Sequence, residues 1–412
     1  MNSEKTNLSS FHLLALWFGA SISIAEILTG GILAPMGFSK AFMAILIGHI
    51  IGTGILVLGG YIGAESKLPS IMSTRISFGT YGSYLFSILN VLQLIGWTAV
   101  MIISGGRSVN EITKILWSFD NLTLWSFVIG IFICLWIFLG KNGFQKLNLI
   151  AVALLFGLTI ILSTVVFKDS SVFASISVSP MSMSMGTAIE LNVIMPLSWL
   201  PLISDYTRFS KNKKSGLFSS FIGYFVGSTW MYTIGLGAAI MAGNADPGSM
   251  MLAANLGLFG LGIIVLSTIT TTFLDAYSAG VTFLNVFPKL EERKVALAMG
   301  VIGLVLAILI PIEQYENFLY AIGSVFAPLF AVLMTDYFVY KKKSIEEDLL
   351  VHWGSFVVWG VGVYLYYQFI NVDFFLGATV PVMISTSILF IVTRKLTNSW
   401  VYLKKYPTAL SK

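Results

Sequence analysis

Apolar residues run in blocks of about twenty along almost the whole chain, and short clusters of charge, glycine and asparagine separate them. At about 1.5 Å of rise per residue such blocks cross about 30 Å of hydrocarbon as helices. The ten-residue alternating segments of an outer-membrane barrel are not the pattern here. The blocks predict twelve spans, near residues 11–36, 41–63, 78–108, 121–140, 148–167, 186–205, 216–242, 253–286, 294–311, 316–340, 351–370 and 374–393. No soluble domain fits between them. The opening MNSEKTNLSS lacks a basic n-region and a small-residue cleavage site, so the first span is expected to be retained as an anchor.

Two spans carry interruptions at mid-depth. In the first, IAEILTGG places Glu26 and the pair Gly30-Gly31 where a helix should be most apolar; in the sixth, IMPLSWLPLIS contains Pro196 and Pro201. These spans cross in opposite directions, and the third and eighth spans, the two longest expected, are also five apart. Broken backbone at membrane depth survives where it lines a cavity, and inverted repeats with broken helices are a common way to build a central transport site. The expected organisation is therefore all-α and integral to the membrane. A first five-helix repeat occupies residues 1–167, an inverted second repeat 186–340, two accessory helices 351–393 and a cytoplasmic tail 394–412.

Composition agrees: 56% of the 412 residues are hydrophobic, 10% are charged, and the mean hydropathy is +0.86. The net charge of +5 matters through its placement. With both termini in the cytoplasm, only Lys40, Arg107, Lys114 and Lys168 of the 24 lysines and arginines fall on the outer side, which predicts a multi-pass protein of the cell membrane with N and C termini inside. The single cysteine, Cys134, can form no internal disulfide, and His12, His49 and His352 show no metal-ligand spacing. An enzyme would need a catalytic constellation and a channel would need rings of like groups around a pore; the sequence offers neither. The expected partners are a small heterocycle and the lipid bilayer, with no nucleic acid and no obligate protein partner.

On the third span Asn90, Gln93 and Trp97 share one stripe at i, i+3, i+7, a combination of amides and an indole face that suits a flat polar heterocycle. The same residues could equally glue helices together and fill space. On the eighth span Ser267, Thr270 and Thr271 form a hydroxyl patch suited to a small alkali cation, against the ordinary alternative of bonding to their own i−4 carbonyls. Asp205 ends the sixth span beside Arg208, where a local bond to that residue or to backbone is expected; Asp275 lies deeper and is either structural or a gate.

In order and spacing, several motifs resemble the nucleobase:cation symporter-1 family, which contains cytosine permease and the hydantoin transporter. They are Thr29-Gly30-Gly31, GYIGA at 60–64 with Arg75 and Ser77-Phe78-Gly79, Gly96-Trp97, Asp205-Tyr206-Thr207-Arg208-Phe209, Thr270-Thr271 and Asp336-Tyr337. The resemblance implies the inverted-repeat fold of the leucine transporter. It implies a sodium site formed by the carbonyls of Gly19 and Ile22 and the hydroxyls of Thr270 and Thr271, with no other cofactor. It also implies stacking on Trp97 and substrate contacts from Ser198 and Trp199. Ser267 stands where the family often has a substrate-binding Asn, and Glu26 where cytosine permease has a small residue. TTTFLDAYSAG and SWLPLISDYTR look most like the CytX-type branch, whose presumed substrate is hydroxymethylpyrimidine, the thiamine precursor. The expectation is a sodium symporter importing such a pyrimidine; the alternatives are a cytosine or purine permease, and proton coupling through Glu26. Glu26 itself has three readings: a protonated acid pairing with an aminopyrimidine edge, a titrating coupling group, or a tie from the first helix to a neighbour.

Overall fold

Where the chain breaks its first span is decided by the tetrapeptide Ser23-Ile24-Ala25-Glu26. The computed structural model describes residues 8–168, 183–244, 257–309 and 315–404. Helix α1 (Ser10–Ser21) leaves helical geometry at Ile22, and Ser23 starts α2 (Ile24–Ile32) by accepting the Glu26 N–H at 3.3 Å, an N-cap in a Ser-x-x-Glu sequence. The two halves, the second running on to Met36, are bent by 53°. The interruption thus lies at Ile22-Ser23, ahead of the expected position: Glu26 is in the first turn of α2, and Gly30-Gly31 continue its helix. These glycines serve packing instead. A Cβ on Gly30 would come within 2.2 Å of the Tyr232 carbonyl oxygen, so α2 lies against another helix at backbone distance.

The chain continues through α3 (Phe38–Ser66), the short helices α4 (Ser70–Ser73) and α5 (Arg75–Phe78), α6 (Gly82–Trp117) and α7 (Leu122–Val166). The second broken span is α8 (Met185–Ser198) with α9 (Ile203–Thr207), separated by the turn Trp199–Leu202. Pro196 sits inside α8 while Pro201 lies in the break, as befits a residue without an N–H to continue the ladder. Then follow α10 (Lys213–Ala242), α11 (Gly257–Leu284), α12 (Glu292–Leu309), α13 (Tyr315–Met334), α14 (Trp353–Phe369) and α15 (Thr379–Thr397). Strands β1 (Leu349–His352) and β2 (Val401–Leu403) pair antiparallel.

Seven helices are long and apolar enough to span a membrane, and the bent α1–α2 pair makes an eighth, among the described residues. The fourth and fifth expected spans fall on two apolar stretches of α7, Leu122–Leu139 and Ile150–Val166. Of the third and eighth, α6 has 36 residues and the described part of α11 has 28, beside 29 for α3 and 30 for α10. The expected start of the eighth span at 253 and the tail beyond 404 lie outside the described residues.

Small residues let α3 lie close to α8. A Cβ on Gly48 would meet the Asn192 Cβ at 2.3 Å, and one on Gly52 the Pro196 Cγ at 2.4 Å. Polar ties gather at one end of the bundle. Leu8 bridges Ser210. Glu65 bonds the Tyr337 hydroxyl at 2.6 Å and pairs with Lys213 at 3.2 Å and Lys343 at 3.3 Å, and Arg394 pairs with Asp336. Arg208 donates to the Asp205 backbone carbonyl at 3.2 Å, while the Asp205 carboxylate accepts the Ser70 N–H at 3.0 Å, so its side chain bonds backbone at the start of α4, 135 positions away, and not the expected local partner.

Candidate functional site

A helix that stops inside a bundle leaves its last carbonyls and the next helix's first N–H groups without helical partners, so the breaks in α1–α2 and α8–α9 concentrate polarity in the core. A narrow cavity of about 20 Å³, room for about one water molecule, lies where both breaks meet α6 and α11. Its walls are Ser23, Ala25 and Glu26 from α2 and its cap; Trp97 and Met101 from α6; Met195, Ser198 and Trp199 from the end of α8; and Thr271 and Asp275 from α11.

Five of the eleven residues expected to bind substrate or sodium line this cavity: Glu26, Trp97, Ser198, Trp199 and Thr271. The Trp97 ring is held edge-on by Phe318 (5.3 Å between centroids) and Tyr315 (6.1 Å). Trp199 stacks edge-on against Trp17 at 5.9 Å, and the Ser198 hydroxyl caps its own helix by donating to the Met195 carbonyl at 2.7 Å. Glu26 is buried, and both its oxygens are engaged by α10: the Tyr224 hydroxyl lies 3.0 Å from Oε1 and the Ser228 hydroxyl 2.8 Å from Oε2. Its carboxyl therefore joins the first span to α10 while bordering the cavity.

Asn90, Gln93 and Ser267 do not form the cavity wall. Asn90 Nδ2 donates to the Thr282 hydroxyl at 2.8 Å, joining α6 to α11. Gln93 Nε2 donates to the Ser198 carbonyl at 2.9 Å, joining α6 to the end of α8. Both keep a buried carbonyl oxygen with no partner among the described residues. Ser267 donates to its own i−3 carbonyl at Ile264, at 3.2 Å.

The two threonines differ. Thr270 donates back to its own helix, to the Leu266 carbonyl at 2.9 Å, whereas the Thr271 hydroxyl is buried, borders the cavity and has no partner among the described residues. A buried hydroxyl left unpaired costs about 1–3 kcal/mol, so its position fits a ligand oxygen. Gly19 and Ile22 stand at the end of α1, where Ile22 N bonds the Gly19 carbonyl at 3.3 Å and then turns out of the helix. Asp275 borders the cavity with no hydrogen-bond or ion-pair partner among the described residues, and the cavity wall carries no lysine, arginine or histidine. The Asp275 carboxyl, the free Thr271 hydroxyl and the C-terminal end of α8 favour a cation over an anion.

Sequence reading passed over Ser23, Met101 and Met195, the Glu26 partners Tyr224 and Ser228, and the contact of His49 with Ser228. The capping pattern Ser23-x-x-Glu26 was a legible sign of the break. Nothing in the sequence pairs Glu26 with α10, because that contact spans about two hundred positions.

Among known proteins, cytosine permease of Escherichia coli K12 is 26% identical over 365 residues, covering 85% of this chain and 84% of its own. Mhp1, a nucleobase-cation-symport-1 family transporter, shares the fold. Its closed conformation with bromovinylhydantoin bound aligns with a TM-score of 0.76 at 17% identity, over 95% of this chain and 93% of its own. Its inward-facing conformation aligns at 0.80 and 18%, over 96% and 92%. The family described as permeases for cytosine/purines, uracil, thiamine and allantoin matches residues 1–398. The chain belongs to that permease family and is a multi-pass membrane transporter, not an enzyme.

Proposed function

We propose that this protein is a secondary symporter importing a pyrimidine-type heterocycle, that sodium drives it, and that the substrate is hydroxymethylpyrimidine, as in the CytX-type branch. The observation that carries the reading is the cavity where both broken helices meet Trp97, Trp199 and the unpaired Thr271 hydroxyl. Two indoles and the Met101 and Met195 side chains suit a flat ring, and Ser198 and Glu26 supply polar edges. Asn90, Gln93 and Ser267 complete the proposed substrate set; they lie outside the cavity wall, and the amide oxygens of Asn90 and Gln93 have no partner among the described residues. Thr271 and Thr270, with the Gly19 and Ile22 carbonyls, would hold the sodium ion, and the Asp275 carboxyl lies on the same cavity wall as Thr271.

The organisation proposed with it is twelve spans in two inverted five-helix repeats with two accessory helices, in the cytoplasmic membrane with both termini inside. The clustering of residues 8, 65, 210–213, 336–343 and 394–403 at one end of the bundle supports a common side for those loops. A second reading, a cytosine or purine permease, is favoured by the 26% identity to cytosine permease.

Binding of pyrimidines, purines and thiamine to the purified protein, in sodium and in choline buffer, separates these readings. Preference for hydroxymethylpyrimidine, strengthened by sodium, is expected. Tighter binding of cytosine or a purine supports the second reading, and equal affinity in both buffers removes sodium.

A further inference from the structure

The hydrogen bonds behind Glu26 demand a proton count. His49, on α3, is buried, with Nδ1 2.9 Å from the Ile45 carbonyl and Nε2 2.6 Å from the Ser228 hydroxyl. Ser228 also reaches Glu26 Oε2 at 2.8 Å. A carbonyl can only accept, so Nδ1 carries a proton. Turning the ring over would put carbon at both contacts and lose both bonds, which fixes its orientation. Ser228 has one hydroxyl proton for two partners. If it donates to Glu26, His49 Nε2 must donate to it, and the pair is imidazolium and carboxylate. If it donates to Nε2, Glu26 Oε2 must donate to it, and the pair is neutral imidazole and carboxylic acid. In either arrangement the chain holds one proton more than a carboxylate and a neutral imidazole. Without that proton two lone pairs face each other at one of these contacts, in a setting where an unpaired polar group is costly.

We infer that Glu26, Ser228 and His49 form a proton-binding site, filled in this conformation and opening on the substrate cavity through the Glu26 carboxyl. The proton comes from water in the cavity and returns to it, so no other reactant is needed. Both arrangements leave the unit electrically neutral, the state a membrane interior favours. The titratable groups around it are few. Tyr224 on α10 donates to Glu26 Oε1 in both arrangements. Tyr232, also on α10, packs its ring edge-on to His49 at 4.6 Å. Tyr315 on α13 is bonded to Thr29 one turn along α2, at 3.0 Å, and Asp275 on α11 lines the same cavity as Glu26. No lysine or arginine pairs with any member among the described residues.

The inference rests on the transport reading for its consequence: a proton held at the substrate cavity is linked to substrate binding, and the linkage is reciprocal. If the bound state needs the proton, affinity falls about tenfold per pH unit above the midpoint of the site. Glu26→Gln has an amide that donates to Ser228 and accepts from Tyr224, so it imitates the filled site permanently. The test is substrate affinity of wild type, Glu26→Gln and His49→Gln between about pH 5 and 9, the range around an ordinary histidine. A falling wild-type affinity, flat in Glu26→Gln and with a shifted midpoint in His49→Gln, is expected. A flat wild type, a Glu26→Gln variant with the wild-type slope, or an unmoved midpoint in His49→Gln overturns the site.

If wild type binds no heterocycle at any pH, the transport reading fails. The site is then judged by melting temperature alone. Because the folded chain holds a proton that the unfolded chain releases near neutrality, wild-type stability should fall as pH rises from about 6.5. That slope should be absent in Glu26→Gln, and its persistence there overturns the site.

Discussion

Gln93 Nε2 donates to the Ser198 carbonyl at 2.9 Å, which ties the helix of Trp97 to the broken end of the helix of Trp199. The two indoles on the cavity wall are therefore linked through one amide that does not itself line the cavity. Gln93→Ala should cost about 1–3 kcal/mol of stability by stranding a buried carbonyl. It should also weaken substrate binding, because Trp199 loses its fixed distance from Trp97. Thermal unfolding and ligand titration of the same preparation check both effects, and an intact affinity would show that the turn at Trp199 is held by other contacts.

Trp97 supplies the flat wall. Trp97→Ala is expected to weaken heterocycle binding at least tenfold, about 1.4 kcal/mol, while Trp97→Phe keeps a ring and loses less. Isothermal titration on folded protein decides it, and unchanged affinity in Trp97→Ala places the substrate elsewhere.

Thr271 and Thr270 are adjacent but should not respond alike. Thr271→Ala removes a hydroxyl with no protein partner, and sodium-stimulated binding should fall at least tenfold, or about 1.4 kcal/mol. Thr270→Ala removes a hydroxyl already bonded to its own helix and should have the smaller effect. Substrate affinity measured against sodium concentration separates the two; equal losses would mean both oxygens reach the ion.

Backbone contact between α2 and α10 sets a fourth dependence. A Cβ on Gly30 would lie 2.2 Å from the Tyr232 carbonyl oxygen, and one on Gly235 2.1 Å from that of Ile27. Neither neighbour is a flexible side chain, so Gly30→Ala and Gly235→Ala should each destabilise by about 1–3 kcal/mol or more. Gly54, whose Cβ would meet nothing within 4 Å, is the control, and Gly54→Ala should melt within a few degrees of wild type. Melting temperatures in detergent check the series.

The sequence by itself determined that the chain crosses a membrane through helices, because hydropathy depends only on local composition and every backbone group in lipid must be satisfied within its own segment. It pointed to the two spans that break, although the first breaks at Ile22-Ser23, where a capping serine acts, and not at Gly30-Gly31, and in the second it is Pro201 that lies in the break. It also supplied Trp97, Ser198, Trp199, Thr271 and Glu26 as candidates, which the fold brings to one cavity. Tertiary structure decided the rest. Residue type does not say which polar group is spent on a neighbour, so only packing shows Asn90 spent on Thr282, Ser267 on its own helix, and Thr271 left unpaired. Only the crossing of α2, α3 and α10 places Glu26, Ser228 and His49 within hydrogen-bond distance. Residues some twenty and two hundred positions apart meet there through the geometry of helix packing, which no local pattern records.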